Sequence, residues 1–250
     1  MTGLGKRILG WSGRLPRHLG HVLDVDVTDS PAQAVRRQRL VSAVHLIGTG
    51  LLSASLSARP GSGRFYTLSF STAATWIAGS LFSGPLHLGW IENRDRQLNR
   101  PLLVPIATGG AAFGFFCIGA LLVRRIPLLD RAVSGALMFA ERGRGPLVLL
   151  TTCANGIGEE VFFRGAMYAA LPGAHPVLSS TAVYTLTTTA TRNPALIIAA
   201  GVMGTLFGYQ RRATRGLQAP LLTHLTWSTL MVTLLPRISR WAEARSRTTS

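Results

Sequence analysis

Two adjacent glutamates lie in the middle of an apolar segment of the sequence. Glu159 and Glu160 interrupt the run 147–171. Ionised carboxylates are costly in apolar surroundings, so they tend to persist there only when they are paired or used in chemistry. Arg164 lies one helical turn after Glu160, so these two side chains can meet on the same face of a helix. Glu159 points about 100° away and has no cationic neighbour in the local sequence.

Two interpretations of this charged group are open. In the first, Glu160 and Arg164 form a buried ion pair that fixes one helix to another, while Glu159 faces a polar loop. In the second, Glu159 lies in a cavity of low dielectric constant and acts as a base on a water molecule. The second interpretation accounts for Glu159, the charged residue that is left over when Glu160 pairs with Arg164. It also gives a use to Gly156 and Gly158, which leave room for a substrate.

A second group of polar residues lies in the apolar segment 217–235. His224 and Ser228 are four residues apart, so they share one face of a helix. A histidine in such a helix can be a satisfied core residue or a ligand. The residue types and their spacing leave both roles open.

The two polar groups resemble the motifs of a known family of membrane endopeptidases. The segment 158–165, which reads GEEVFFRG, is similar to the E-E-x-x-x-R signature of the CAAX protease and bacteriocin-processing family. His224 and its neighbours are similar to that family's later H-x-x-x-N motif. The resemblance covers about 146–232. It implies an all-helical membrane core that hydrolyses a peptide bond with a glutamate-activated water, with or without a bound metal.

The resemblance also implies roles for individual residues. Glu159 is expected to activate the water, with Glu160 and Arg164 as the supporting pair. His224 is expected to bind a metal or to donate a hydrogen bond to the oxyanion, and Ser228 stands where the family has asparagine. The implied metal ligands are Glu159 and His224, and the implied metal is zinc or another divalent ion.

The sequence departs from the family pattern between these two motifs. The family's F-x-x-x-H motif corresponds to Tyr184 and Thr188, so the second histidine is missing. A catalytic zinc usually has three protein ligands. A histidine from another segment, His45, His87 or His175, could complete the set. If none does, the enzyme either works without a bound metal or has lost its hydrolytic step.

The elements that position these residues are predicted to be membrane helices. Of the 250 residues, 47% are hydrophobic and 14% are charged, which is too apolar for an ordinary soluble domain. A run of about 17 to 25 apolar residues is long enough to cross a membrane. The candidate spans are 40–57, 67–90, 101–123, 146–171, 175–191, 194–210 and 217–235. We therefore predict an all-α polytopic transmembrane bundle of about seven to eight spans.

The span count depends on the segment Ile126–Glu141. Its mixture of charged and apolar residues fits either an interfacial amphipathic helix or an eighth span. The predicted organisation is a basic extramembrane segment at 1–38, a transmembrane domain at 39–236 and a basic tail at 237–250.

The net charge of +16 is spread over the loops and both ends of the chain. This distribution is typical of contact with anionic lipid headgroups and not of a nucleic-acid-binding face. We therefore predict a multi-pass protein of the cell membrane whose partners are the bilayer and a peptide or protein substrate in or near it. Because every loop is basic, the charge distribution does not set the membrane orientation.

Three functional hypotheses follow from the sequence. The leading hypothesis is an intramembrane endopeptidase that cuts a membrane-associated or prenylated-type protein. The alternative is a catalytically impaired family member that acts as a membrane scaffold or binds a partner. The third hypothesis is a proton-coupled transporter, because membrane-embedded acids also serve as proton relays, although the sequence shows no inverted repeat.

Overall fold

The computed structural model describes residues 19, 31–92, 97–171, 173 and 175–248, with side chains up to Trp241. The described chain is almost entirely helical, which confirms the predicted all-α class. The helices are α1 (Pro31–Leu56), α2 (Gly63–Ser83), α3 (Leu103–Leu122), α4 (Pro127–Arg142), α5 (Gly145–Glu159), α6 (Met167–Ala170), α7 (Pro176–Thr188), α8 (Pro194–Thr214) and α9 (Gln218–Thr248). A π-helical segment, Glu160–Ala166, joins α5 to α6, and 3-10 turns, Val123–Arg125 and Thr189–Thr191, follow α3 and α7.

Local sequence signals account for several helix boundaries. Proline lies in the first turn of α4, α5, α7 and α8, where its missing N–H is not needed and its φ angle suits a helix. The side chain of Asn193 caps α8 by accepting from the backbone N–H groups of Ala195 and Leu196. The predicted span 67–90 ends early, because Gly84 has a φ of 146° and the chain leaves the helix there.

The helices form a bundle with two ends that can be named by their loops. At the Gly61 end, the loop after α1 packs on the carbonyl of Arg142, and the hydroxyl of Tyr66 accepts from the backbone N–H of Arg144 at 2.9 Å. At the opposite Gly89 end, the carbonyl of His87 accepts from the backbone N–H of Leu217 at 2.9 Å. A short antiparallel ribbon of β1 (Ile91–Glu92) and β2 (Leu98–Asn99) also lies there.

Helix α4 has both of its termini at the Gly61 end of the bundle. Its last residue, Arg142, packs on Gly61. The first residue of α4 lies at the same end, because α3 runs parallel to α9: the carbonyl of Pro105 accepts from Thr223 near the start of α9, and Arg124 donates to the carbonyl of Ser239 far along it. Within α4, the carbonyl of Ala132 accepts from the side-chain amide of Asn193 at the start of α8, at 2.8 Å. A helix that starts and finishes at one end does not cross the bundle. This arrangement favours the interfacial interpretation of Ile126–Glu141.

The outer faces of the bundle carry large apolar side chains, such as Leu46, Phe82, Leu103 and Phe115, all of which are exposed. Among the described residues, two helical stretches are long and apolar enough to span a bilayer, Pro31–Leu56 and Leu103–Arg125. The count of seven to eight spans stays a prediction.

The predicted inner boundaries of the two terminal segments, 1–38 and 237–250, do not coincide with helix boundaries. Most of the segment 1–38 lies outside the described residues, and its last part, from Pro31, belongs to α1. Helix α9 continues through Pro236 to Thr248, so the predicted tail at 237–250 begins inside a helix.

The core of the bundle is an aromatic cluster around the π-helical segment. Phe162 and Phe163 have no exposed surface, and their rings pack at 5.0 Å from one another and against Trp76 and Tyr184. Gly48 lets α1 approach the Trp76 indole directly, which is a close helix contact of the small-residue type. The core thus fixes the segment that follows Glu159.

Candidate active site

The two glutamates stand where α5 changes from α-helical to π-helical geometry. Helix α5 ends at Glu159, and residues 160–166 form a wider turn in which the backbone N–H of Met167 bonds to the carbonyl of Phe162. Single π-helical turns inside α-helices occur frequently at functional sites. The sequence pattern predicted a regular helix here, so this local widening is a finding of the structure.

Glu160 lies behind the site, where it is fully buried between two basic side chains. Its Oε1 is 3.4 Å from Nη1 of Arg164 and 2.8 Å from Nδ1 of His224. The ion pair that the spacing predicted is therefore present, and the same carboxylate oxygen also ties α9 to the π-helical segment. The other oxygen, Oε2, is buried and has no hydrogen-bond partner in the described part of the chain.

Glu159 has a different environment from its neighbour. The hydroxyl of Tyr184, on α7, donates to Oε2 of Glu159 at 2.6 Å. Hydrogen bonds to an ionised carboxylate are among the stronger ones in proteins. Local sequence spacing does not reveal this partner, because Tyr184 lies on another helix. Its only signal was a tyrosine at a position where the family has phenylalanine.

The guanidinium of Arg164 is held between two aromatic rings. Its Cζ atom lies 4.4 Å from the ring centroid of Tyr184 and 5.1 Å from that of Phe207. The Phe207 ring in turn stacks on His224 at 4.9 Å. A guanidinium packs well on aromatic faces while it pairs with a carboxylate. Arg164 therefore packs on the ring of Tyr184, the partner of Glu159, and its charge pairs with Glu160.

His224 presents one nitrogen to Glu160 and the other to open space. An ionised carboxylate only accepts hydrogen bonds, so Nδ1 carries the proton in the bond to Glu160. A Cβ atom placed on Gly156 would lie 3.8 Å from Nε2, so this nitrogen faces α5 near Glu159. The pairing with Glu160 thus orients the ring.

A cavity of about 280 Å³ contains the front of this site. Glu159, His224 and Ser228 line it, as do Tyr184 and Thr188, whereas Glu160 and Arg164 lie behind its wall. Its polar lining continues towards the Gly61 end through Ser55, Ser69, Thr151, Thr152, Asn155, Thr187 and Thr191. The structure therefore brings together every predicted site residue and divides them into a front group and a supporting group.

The donor set around the cavity does not fit a zinc ion with three protein ligands. Thr188, at the position of the missing histidine, donates its hydroxyl to the carbonyl of Tyr184 at 2.9 Å. His45 instead bonds Oγ1 of Thr187 through Nε2 at 2.7 Å, and it does not line the cavity. Among the described residues, no group of three His, Cys, Asp or Glu side chains could hold a metal ion. The metal roles of Glu159 and His224 stay predictions.

Comparison with known proteins agrees with the motifs. A family model described as Rce1-like, type II CAAX prenyl endopeptidase, matches residues 143–230, a segment that contains every site residue predicted from the sequence. No curated protein and no solved structure matches the chain. The family is one of membrane proteases. The resemblance seen in the sequence is confirmed, and residues 143–230 are a match to the Rce1-like type II CAAX prenyl endopeptidase family.

Proposed function

We propose that this protein is an intramembrane endopeptidase that hydrolyses a peptide bond of a membrane-associated or prenylated-type protein. The observation that carries the proposal is the shared cavity of Glu159 and His224, with the buried pair Glu160 and Arg164 directly behind them. A base, a second polar group and room for a substrate beside them are what peptide hydrolysis requires.

The arrangement supports a mechanism in which Glu159 is the general base. Its carboxylate accepts a proton from a water molecule while the water oxygen bonds to the carbonyl carbon of the substrate. His224 faces the same space through Nε2, where it can contact the water or the carbonyl oxygen. When the C–N bond breaks, the proton held by Glu159 passes to the leaving amine. Glu160 and Arg164 do not touch the substrate, and they keep the His224 ring in place.

The cavity favours a substrate that enters from the Gly61 end. The hydroxyl and amide side chains that extend from Glu159 towards that end can hydrogen-bond an extended peptide, whose backbone needs partners wherever water is excluded. Exposed arginines surround the same end, namely Arg59, Arg64, Arg142, Arg144 and Arg192. The scissile bond therefore lies near one membrane surface in this proposal.

The test replaces the proposed base and keeps its shape. Purified protein in liposomes is given a quenched fluorescent peptide that ends in a farnesylated C-a-a-X sequence. Glu159→Gln should lower kcat/KM by at least about 100-fold while the protein stays folded, because an amide cannot accept the proton. The matched control is Glu141→Gln, since Glu141 is exposed and its one ion pair among the described residues is with Arg240 at 3.7 Å. Cleavage by Glu159→Gln at the wild-type rate would contradict the proposal.

The second candidate function is a membrane scaffold that has lost hydrolysis. The observation in its favour is the replacement of histidine by Thr188 and of asparagine by Ser228 in the cavity lining. A scaffold predicts that wild-type protein and Glu159→Gln are equally inactive on every peptide offered. It also predicts that both retain the same bound partner when isolated from membranes in mild detergent.

A further inference from the structure

We propose that Tyr184 is a positioning residue of the active site, whose hydroxyl fixes one carboxylate oxygen of Glu159 and leaves the other to act on water. The inference rests on the proposed function, because it concerns how the proposed base is held. It concerns a residue at which this chain departs from the family pattern, since the corresponding position there is phenylalanine, which has no hydroxyl.

The Tyr184 side chain is held so firmly that its hydroxyl has little freedom. Only 9% of the residue is exposed. The ring of Phe163 packs at 4.9 Å on Tyr184, and the guanidinium of Arg164 covers the ring at 4.4 Å. A buried phenol usually needs a hydrogen-bond partner. The partner of Tyr184 is Oε2 of Glu159, at 2.6 Å.

Glu159 depends on this bond for its orientation. A glutamate side chain has several rotatable bonds, and this one borders a cavity in which it could turn. Within the described part of the chain, the bond from Tyr184 is its only hydrogen bond, and it uses Oε2. Because Oε2 is held, Oε1 is the oxygen left to accept a proton. Small misplacements of a reacting group lower the rate strongly.

The same tyrosine connects the two halves of the site. Arg164 lies on the Tyr184 ring and pairs with Glu160, and Glu160 orients His224. One continuous set of contacts therefore positions Glu159, the proposed base, and His224. Tyr184 is the residue of this set that contacts Glu159.

Thr188 contributes to this arrangement one helical turn further along α7. Its hydroxyl bonds the backbone carbonyl of Tyr184 at 2.9 Å. Two hydroxyl side chains thus occupy the positions at which the family pattern has an aromatic ring and an imidazole. In this chain one hydrogen bond from α7, donated by Tyr184, holds the glutamate.

The experiment compares Tyr184→Phe with Tyr209→Phe. Both variants remove one hydroxyl, but the hydroxyl of Tyr209 makes no hydrogen bond in the described part of the chain. In the farnesylated peptide assay, Tyr184→Phe should lower kcat by about 10- to 100-fold with KM unchanged, because the base is misplaced and the cavity keeps its shape. Tyr209→Phe should match the wild type. A loss shared by both variants, or a loss only in KM, would overturn the inference.

A second measurement does not need cleavage. Infrared difference spectra of wild type against Glu159→Gln isolate the carboxyl band of Glu159. In the Tyr184→Phe background this band should shift, because a short hydrogen bond is missing. The Tyr209→Phe background should leave the band in place. An unshifted band in folded Tyr184→Phe would overturn the inference, whether or not the peptide is cleaved. If the band shifts but the wild-type protein cleaves no peptide, the proposed activity is refuted and the inference about Tyr184 stands.

Discussion

Removing the charge of Arg164 should destabilise the fold as well as the site. The substitution Arg164→Met keeps a long side chain but leaves Glu160 fully buried without its cation. Breaking a buried ion pair by removing one partner costs about 3 to 5 kcal/mol. Methionine also forfeits the cation–π contacts with the rings of Tyr184 and Phe207, each worth about 0.5 to 2 kcal/mol. The hydrogen bond from His224 remains and offsets part of this loss. We therefore expect a net loss of about 3 to 5 kcal/mol.

The measurement is the free energy of unfolding in mixed detergent micelles, followed by circular dichroism as the denaturing detergent is increased. Arg240→Met is the matched control, because Arg240 pairs with Glu141 at 3.7 Å and the two side chains are 65% and 40% exposed. Exposed pairs contribute at most about 1 kcal/mol. The double variant Glu160→Gln with Arg164→Met should recover much of the lost stability, since it removes the stranded charge.

A loss below about 1 kcal/mol for Arg164→Met, equal to that of the exposed control, would contradict this expectation. A double variant less stable than Arg164→Met alone would also contradict it. In that case Glu160 would be stabilised by His224 without any need for the guanidinium.

Two further predictions concern packing and metal binding. Gly48→Ala should destabilise the protein by about 1 to 3 kcal/mol in the same micelle titration, because the added Cβ would overlap the indole of Trp76. The control Gly50→Ala should be neutral or stabilising, because a Cβ added there meets no atom within 4 Å. Thr188→His should raise the zinc content of the purified protein above that of the wild type, measured by atomic absorption, because it adds a donor to the cavity that His224 lines. An equal loss at both glycines, or an unchanged zinc content in folded Thr188→His, would contradict these expectations.

Local spacing was sufficient to predict the parts of the site that lie on one helix. The pairing of Glu160 with Arg164 follows from their separation by one turn. The contacts with Tyr184 and His224 could not be predicted in the same way, because each depends on how two helices distant in sequence pack together. The π-helical turn was missed for a related reason, since the local residues have no pattern that separates it from an α-helix.

The orientation of α4 also could not be predicted from the sequence. Its apolar and charged residues fit a helix that lies at an interface and a helix that crosses the bundle equally well. Two tertiary contacts favour the helix at an interface, one from Asn193 to the carbonyl of Ala132 and one from Gly61 to Arg142. Both are contacts between segments far apart in the chain, so no local pattern encodes them.

The adjacency of the two glutamates explains how one helix can supply both the proposed base and its support. Neighbouring residues on a helix point about 100° apart, so Glu159 can face the cavity while Glu160 faces α9. Two carboxylates on the same face would repel one another and compete for the same cation. Here each has its own partner, a neutral hydroxyl for Glu159 and the charged Arg164 for Glu160. A neutral hydroxyl reduces the basicity of a carboxylate less than a cation in its place would, so this partner holds Glu159 and leaves it better able to take a proton from water in the proposed reaction.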